Sequence, residues 1–376
     1  MLQYLVKDLG QIKWLWFDKT NTYLQMDNGV YQVFKKISKK ESAEDIISWC
    51  VRTFNLSKIE AQDAVNEILK LIENQNDYRK NEKTIATENV ILTKKAYYGS
   101  KYYSFHSSVF SFHFGDANIE NLFHPLFAHL EIASLEVTDK DFFLIFQRGN
   151  YLLKVQDKII GVWPKEEEHL FKGRVFMEIL NYVYSKNEKE WLGVLHASAI
   201  GNEENCVLFL GDSGSGKSTA SAIAMASGLS LIADDFVPVD INGKVLTFPA
   251  AISVKKKALA YLSVRFPELL KAKEYELKFM NKTVRYLSPK TLTNNLPKTI
   301  KALIFIKYTK EVEFSIEKLD INLAFQYLVV DSWLSPEEEN ASFFMDWISA
   351  LPAYRVYYSN NEKMLESVNI ILNNES

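Results

Sequence analysis

Lys217, Ser218, Asp234, Asp235 and His196 are the residues whose types and spacing could move a phosphoryl group. The first two close the stretch Gly211-Asp212-Ser213-Gly214-Ser215-Gly216-Lys217-Ser218, followed by Thr219, which fits the pattern G-x-x-x-x-G-K-[ST]. A glycine-rich turn lets successive backbone N–H groups curl around a phosphate, and a following helix N-terminus adds partial positive charge. Lys217 would reach the β- and γ-phosphates of a nucleotide, and the Ser218 hydroxyl would ligate Mg²⁺. An ordinary glycine loop with an exposed lysine would leave the alternating glycines unexplained.

The elements around the turn have the right character. The apolar run Val207-Leu208-Phe209-Leu210 predicts a buried strand, and the Ala-rich segment Thr219–Ala226 predicts a helix stopped by Gly228. A second apolar strand, Leu229–Ala233, delivers Asp234 and Asp235 at its C-terminal end, where ligands gather in open α/β sheets. One carboxylate there can hold a metal, and the other can take a proton from an attacking hydroxyl. Upstream, Leu195-His196-Ala197-Ser198-Ala199-Ile200 predicts one strand with His196 and Ser198 on a shared face.

Together His196–Ile200, Gly211–Thr219 and Ile232–Asp235 resemble the kinase domain of bacterial HPr kinase/phosphorylase and its relatives. That superfamily has the fold of ATP-dependent phosphoenolpyruvate carboxykinase. The resemblance is tight over residues 195–240 and diffuse over 89–376. It implies that His196 lies at the reaction centre and that Lys217 and Ser218 are the loop lysine and serine. It further implies that Asp234 is the catalytic base and that Asp235 sits near the metal, so the implied cofactors are ATP and Mg²⁺. The family's glycine-containing signature after the aspartate pair has no counterpart in Asp240–Ala250, and no arginine-rich carboxykinase pocket is evident. The resemblance therefore points to the looser group of related kinases, which phosphorylate free serine or a hydroxyl of a biosynthetic peptide.

Composition bounds the reading. The 376 residues exceed one typical domain, and a hydrophobic fraction of 47% supplies ample core. A net charge of −3 argues against a nucleic-acid partner, whose phosphates need a basic surplus. Only Cys50 and Cys206 occur, so no disulfide framework is expected and a cytoplasmic enzyme fits. No run approaches membrane-spanning length and the N-terminus does not read as a signal peptide, so no membrane partner is expected. A homo-oligomer is compatible with all of this.

The N-terminal part predicts a separate α+β module. Residues 11–34 alternate, with Trp14 and Trp16 opposite Leu15 and Phe17, and Asp27-Asn28-Gly29 predicts a hairpin turn. Helices are expected over Ala43–Phe54 and from a capping box, Ser57 to Glu60. The polar run Asn74–Lys83 predicts a linker. This pattern resembles PqqD-like peptide-recognition domains of modified-peptide biosynthesis, which bind a leader peptide as an added strand. The alternative is a winged-helix-like dimerisation or packing module with no peptide ligand; Trp14, Trp16 and Tyr23 could form a recognition face, although such residues are usually core.

Residues 89–190 predict a strand-rich region, with Phe110, Phe112 and Phe114 alternating, a hairpin at Arg148-Gly149-Asn150 and a helix over 165–185. His106, His113, His124 and His129 lack the spacing of a zinc site. Lys255, Lys256, Lys257, Lys271 and Lys273 read as a solvated face, and Arg285 is the better candidate for a clamp on substrate phosphate.

The expected fold is thus α/β: a P-loop-containing, phosphoenolpyruvate carboxykinase-like kinase domain over 89–376 (89–190 strand-rich, 191–376 nucleotide-binding). A small winged-helix-like or PqqD-like domain over 1–76 and a linker over 77–88 precede it. The expected activity is ATP-dependent transfer to a Ser/Thr hydroxyl of a precursor peptide. The rivals are a small-molecule kinase acting on an acceptor such as free serine, and a nucleotide-dependent regulatory protein.

Overall fold

A computed structural model describes residues 2–76, 97–134, 137–277, 282–289 and 296–373. The predicted linker over 77–88 lies outside the described residues. The chain divides into two compact units, one of 1–82 with 320–351 and one of 83–319 with 352–376.

The first unit starts with three antiparallel strands, Tyr4–Leu9, Ile12–Phe17 and Thr22–Asp27, in that spatial order. Gly10 and Asn21, both at positive φ, turn the two hairpins. The hairpin expected at Asp27-Asn28-Gly29 does not form. A two-residue hairpin there requires positive φ at both central residues, and neither Asn28 nor Gly29 has it. Asp27 instead caps the helix Asn28–Ser38, its carboxylate accepting from Val30 N at 2.8 Å. The helices Ala43–Phe54 and Lys58–Asn76 follow, the latter opened by the reciprocal Ser57–Glu60 box.

Both faces of the central strand are buried. Leu15 and Phe17 pack with Val33, Phe34, Ile46, Cys50, Ala61, Val65 and Ile68. The opposite face is covered by the helices Ile321–Asp331 and Glu338–Ala350, residues expected to belong to the kinase domain. Trp14 stacks on Phe325 with centroids 3.9 Å apart and donates its Nε1 to Asn322 Oδ1 at 2.8 Å. Tyr23 packs edge-on against Phe325 and Phe344. These aromatic residues are therefore core, and the alternation of the strand could not reveal what covers its second face.

The second unit contains a mixed sheet in the order Ser230–Asp234, Ser198–Gly201, Asn205–Leu210, Lys298–Tyr308. Lys298–Tyr308 also pairs in parallel with Ala353–Tyr358, so three parallel strands end side by side. Strands Lys244–Val245, Val237–Asp240 and Trp191–Leu195 continue the sheet past the start of Lys298–Tyr308. A six-stranded sheet built from residues 99–164 forms the strand-rich part. Its Phe105 and Phe112 pack edge to face against Phe127, and Phe110 does so against Phe142, which suits the ring quadrupole. The helix Glu168–Val183 lies where a helix was expected, and Phe176 on it packs against Phe236 at 5.1 Å, 80° between planes. That contact brings the helix to the aspartate pair.

Candidate active site

The buried strand Asn205–Leu210 ends at Gly211, and the helix Lys217–Ala226 begins six residues later. Gly211, Gly214 and Gly216 sit at φ +135°, +91° and +108°, conformations that side-chain-bearing residues rarely adopt. Ser215 N donates to Asp212 O at 3.0 Å and Tyr308 N donates to Ser215 O at 2.9 Å, which fixes the curl. A Cβ on Gly211 would lie 2.9 Å from Ser215 Oγ, so that position must stay bare. No side chain caps the helix, which leaves its first N–H groups available to an anion.

Lys217 is only 7% exposed and donates to Gly211 O at 2.5 Å, so its ammonium lies across the curl rather than in solvent. A buried ammonium held by a single carbonyl is short of partners, and a phosphate oxygen would supply them. Ser215 Oγ is likewise buried without a partner. Asp212, Ser213 and Gly214 are exposed at the tip, and Ser218 and Thr219 sit half-buried in the first helical turn. These features fit a nucleotide's phosphates.

Asp234 ends its strand buried, paired in register with Ser198. Its Oδ1 accepts from the Ser198 hydroxyl and, at 3.5 Å, from the Ser218 hydroxyl. Burial foremost, and the neighbouring Asp235 charge next, push the Asp234 carboxyl up to about 7, while the two hydroxyls and Lys217 oppose the shift. Asp235 is exposed and at φ +59°, so the chain reverses there and turns its side chain away from the sheet interior. The expected arrangement set Asp235 beside Ser218. The structure sets Asp234 there instead, because the strand register points its carboxylate at the loop.

The strand expected over Leu195–Ile200 is two strands, Trp191–Leu195 and Ser198–Gly201, broken at His196 and Ala197. His196 is exposed at that break, next to the Ser198 that holds Asp234, and the shared strand face does not exist. Arg285, on the strand Lys282–Leu287, does not offer a free fork. Its guanidinium donates to Leu269 O at 2.6 Å, Leu270 O at 2.7 Å and Glu274 at 3.2 Å, closing the end of the turn Pro267–Leu270.

Lys172 is a further charged residue near the aspartate pair that no sequence motif singles out. It sits on the helix Glu168–Val183 one turn before Phe176, with its ammonium 5.6 Å from that ring. Burial pulls its proton affinity down, while the charges of Asp235 and then Glu168 pull it up. Asp235 therefore has a cation within electrostatic reach, supplied by an element that no motif marks. The only sequence signal is a lysine four positions before Phe176 in the segment Phe171–Met177, where Arg174 also stands.

Among the described residues no cluster of three or more His, Cys, Asp or Glu side chains forms a metal site. Ser218 and Asp234 provide two hard oxygen donors, which fit a hard divalent cation completed by water and nucleotide phosphate. No helix among the described residues is long and apolar enough to cross a membrane.

A comparison with curated proteins finds no match to the chain. Residues 33–284 match the family of phosphoenolpyruvate carboxykinase, whose members use ATP and a divalent metal for kinase or carboxykinase-type phosphotransfer. The match takes in the glycine loop, the aspartate pair, His196 and Lys172, and extends over more than half of the chain. The chain belongs to the phosphoenolpyruvate carboxykinase family.

Proposed function

We propose that this chain is an ATP-dependent kinase that transfers the γ-phosphate to a Ser/Thr hydroxyl of a biosynthetic peptide. The observation that carries the reading is the Ser198–Asp234–Ser218 arrangement beside the buried Lys217, at the carboxyl end of the strands. Loop N–H groups and Lys217 hold the phosphates in line and neutralise charge that builds in transfer. Ser218 and Asp234 would hold Mg²⁺, which supplies further charge neutralisation across the β- and γ-phosphates. Asp235, exposed and unburdened by the loop serine, takes the proton of the acceptor hydroxyl. Lys172 and the exposed His196 flank the developing negative charge. This reading exchanges the roles that the resemblance implied for the two aspartates.

The N-terminal sheet offers two edge strands, Tyr4–Leu9 and Thr22–Asp27, to which a leader peptide would add as a further strand. A second reading is favoured by the burial of Trp14, Trp16 and Tyr23. With those rings internal, the unit needs no peptide to explain its aromatic residues, and the acceptor would be a small hydroxyl compound such as free serine.

The test is transfer of label from [γ-³²P]ATP with Mg²⁺ to serine-containing peptides and to free serine. Acid-stable phosphoserine in the peptide, dependent on Lys217 and Asp235, is expected. Label in free serine alone would transfer the assignment to the small-molecule kinase. Hydrolysis or binding with no labelled acceptor would leave the regulatory reading.

A further inference from the structure

We propose that the ring of Tyr308 is the seat of the purine base, so that this residue sets nucleotide affinity from outside the glycine loop. The inference rests on the phosphate-binding reading of Gly211–Ser218 and extends it to the nucleoside.

The strand order fixes the direction in which a nucleotide must lie. Asp234, which faces the loop serine, is reached through Ser198–Gly201 on one side of the loop strand. On the other side lie Lys298–Tyr308 and Ala353–Tyr358, both parallel to the loop strand. A terminal phosphate placed at the acidic side sends the rest of the nucleotide the opposite way. It then crosses the carboxyl ends of these two strands, the usual location for ligands in such sheets.

Tyr308 and Tyr358 are the residues at those ends, paired in register. Tyr358 is 1% exposed, whereas Tyr308 is 48% exposed. Its backbone N donates to Ser215 O, and its neighbour Thr309 N donates to Tyr358 O at 2.9 Å. The two rings meet edge to face at 5.7 Å and 82°. A Cβ built on Gly216 would lie 3.5 Å from Tyr308 Cβ and 3.7 Å from the Tyr358 hydroxyl, which roots the exposed side chain of Tyr308 beside the last glycine of the loop. A fixed aromatic face next to a phosphate cradle is what a base can stack on without ordering a flexible side chain. Stacking reads the π-face and not the hydrogen-bonding edge, so it treats adenine and guanine alike.

Equilibrium binding of ATP, GTP and inorganic tripolyphosphate to the full chain, each with Mg²⁺, tests the proposal. Tyr308→Leu keeps a side chain against Gly216 but removes the ring. It should weaken ATP and GTP by about 5- to 150-fold, the usual range for a lost base–aromatic stack. Tripolyphosphate, which has no base, should bind the variant as it binds the wild type. Tyr308→Phe should restore nucleotide affinity. Undiminished ATP binding by Tyr308→Leu, or an equal loss for ATP and tripolyphosphate, would overturn the seat. Failure of the wild type to bind tripolyphosphate and ATP alike would overturn the phosphate-loop reading and the seat with it.

Discussion

Trp14→Ala should loosen the segment 320–351 and leave the glycine loop untouched. Trp14 is fully buried, stacks on Phe325 at 3.9 Å with 12° between planes and donates to Asn322. Truncating a buried Trp costs about 3–5 kcal/mol. Within that figure the aromatic pair accounts for about 1 kcal/mol and the hydrogen bond for about 1 kcal/mol. The effect is read by amide hydrogen exchange, since a chain of two units does not unfold in one step. Amides of Ile321–Asp331 that open with the first unit should exchange about a hundredfold faster or more, because each 1.4 kcal/mol is about a factor of ten. Amides of Lys217–Ala226 should keep their wild-type rates. Unchanged exchange over 321–331 would refute the claim that the N-terminal sheet holds this segment. The same packing dictates how to truncate. Deleting 1–76 alone strips Phe325 and Phe344 of their partners, so 320–351 must go too. Its ends permit that, because Leu319 N donates to Ala353 O at 2.8 Å.

Asp235→Asn should leave ATP affinity within a few-fold and slow transfer by about a hundredfold or more, as loss of a general base does; Asp234→Asn should instead raise the Mg²⁺ concentration needed in the same turnover assay. The raised Asp234 carboxyl also makes a stability prediction, since its unfolded value is 3.8 and its folded value about 7. The folded state holds the proton more tightly, so the cost of the buried charge grows between about pH 4 and pH 7 and is complete above that. Asp234→Asn should therefore melt higher than wild type at pH 8, by more than it does at pH 5, in thermal unfolding without nucleotide. Arg285→Ala should cost about 1–3 kcal/mol, chiefly through the part-buried Leu269 carbonyl left without its donor, and leave ATP binding by calorimetry unchanged.

The loop and its flanks were legible because their sequence signals are local. Glycines at three strained positions, an apolar strand before and an Ala-rich helix after can be read without tertiary information. The helices Ala43–Phe54 and Lys58–Asn76 were legible for the same reason, through periodicity and a capping box. What failed to show depended on packing across the chain. Asp27-Asn28-Gly29 suits a hairpin and a helix cap equally well, and the helical stripe after it decides between them. The break at His196 has no marker, since neither Gly nor Pro stands between Leu195 and Ser198. Arg285 looked free because its acceptors are main-chain carbonyls, which no sequence pattern displays. Lys172 lies 62 residues before Asp234 and reaches the site through Phe176 on Phe236, a contact made only by the fold. The covering of Trp14 by residues some 300 positions away is of the same kind.

Calorimetric titration of ATP with Mg²⁺ into wild type and Lys217→Ala tests the central claim most directly. Lys217 is the buried cation across the glycine curl, and it is assigned to the β- and γ-phosphates. Wild type should bind one ATP per chain, and the variant should bind at least about tenfold more weakly, in keeping with loss of a charge-assisted contact. Equal affinity in the two proteins would contradict the assignment of Gly211–Ser218 as the nucleotide site.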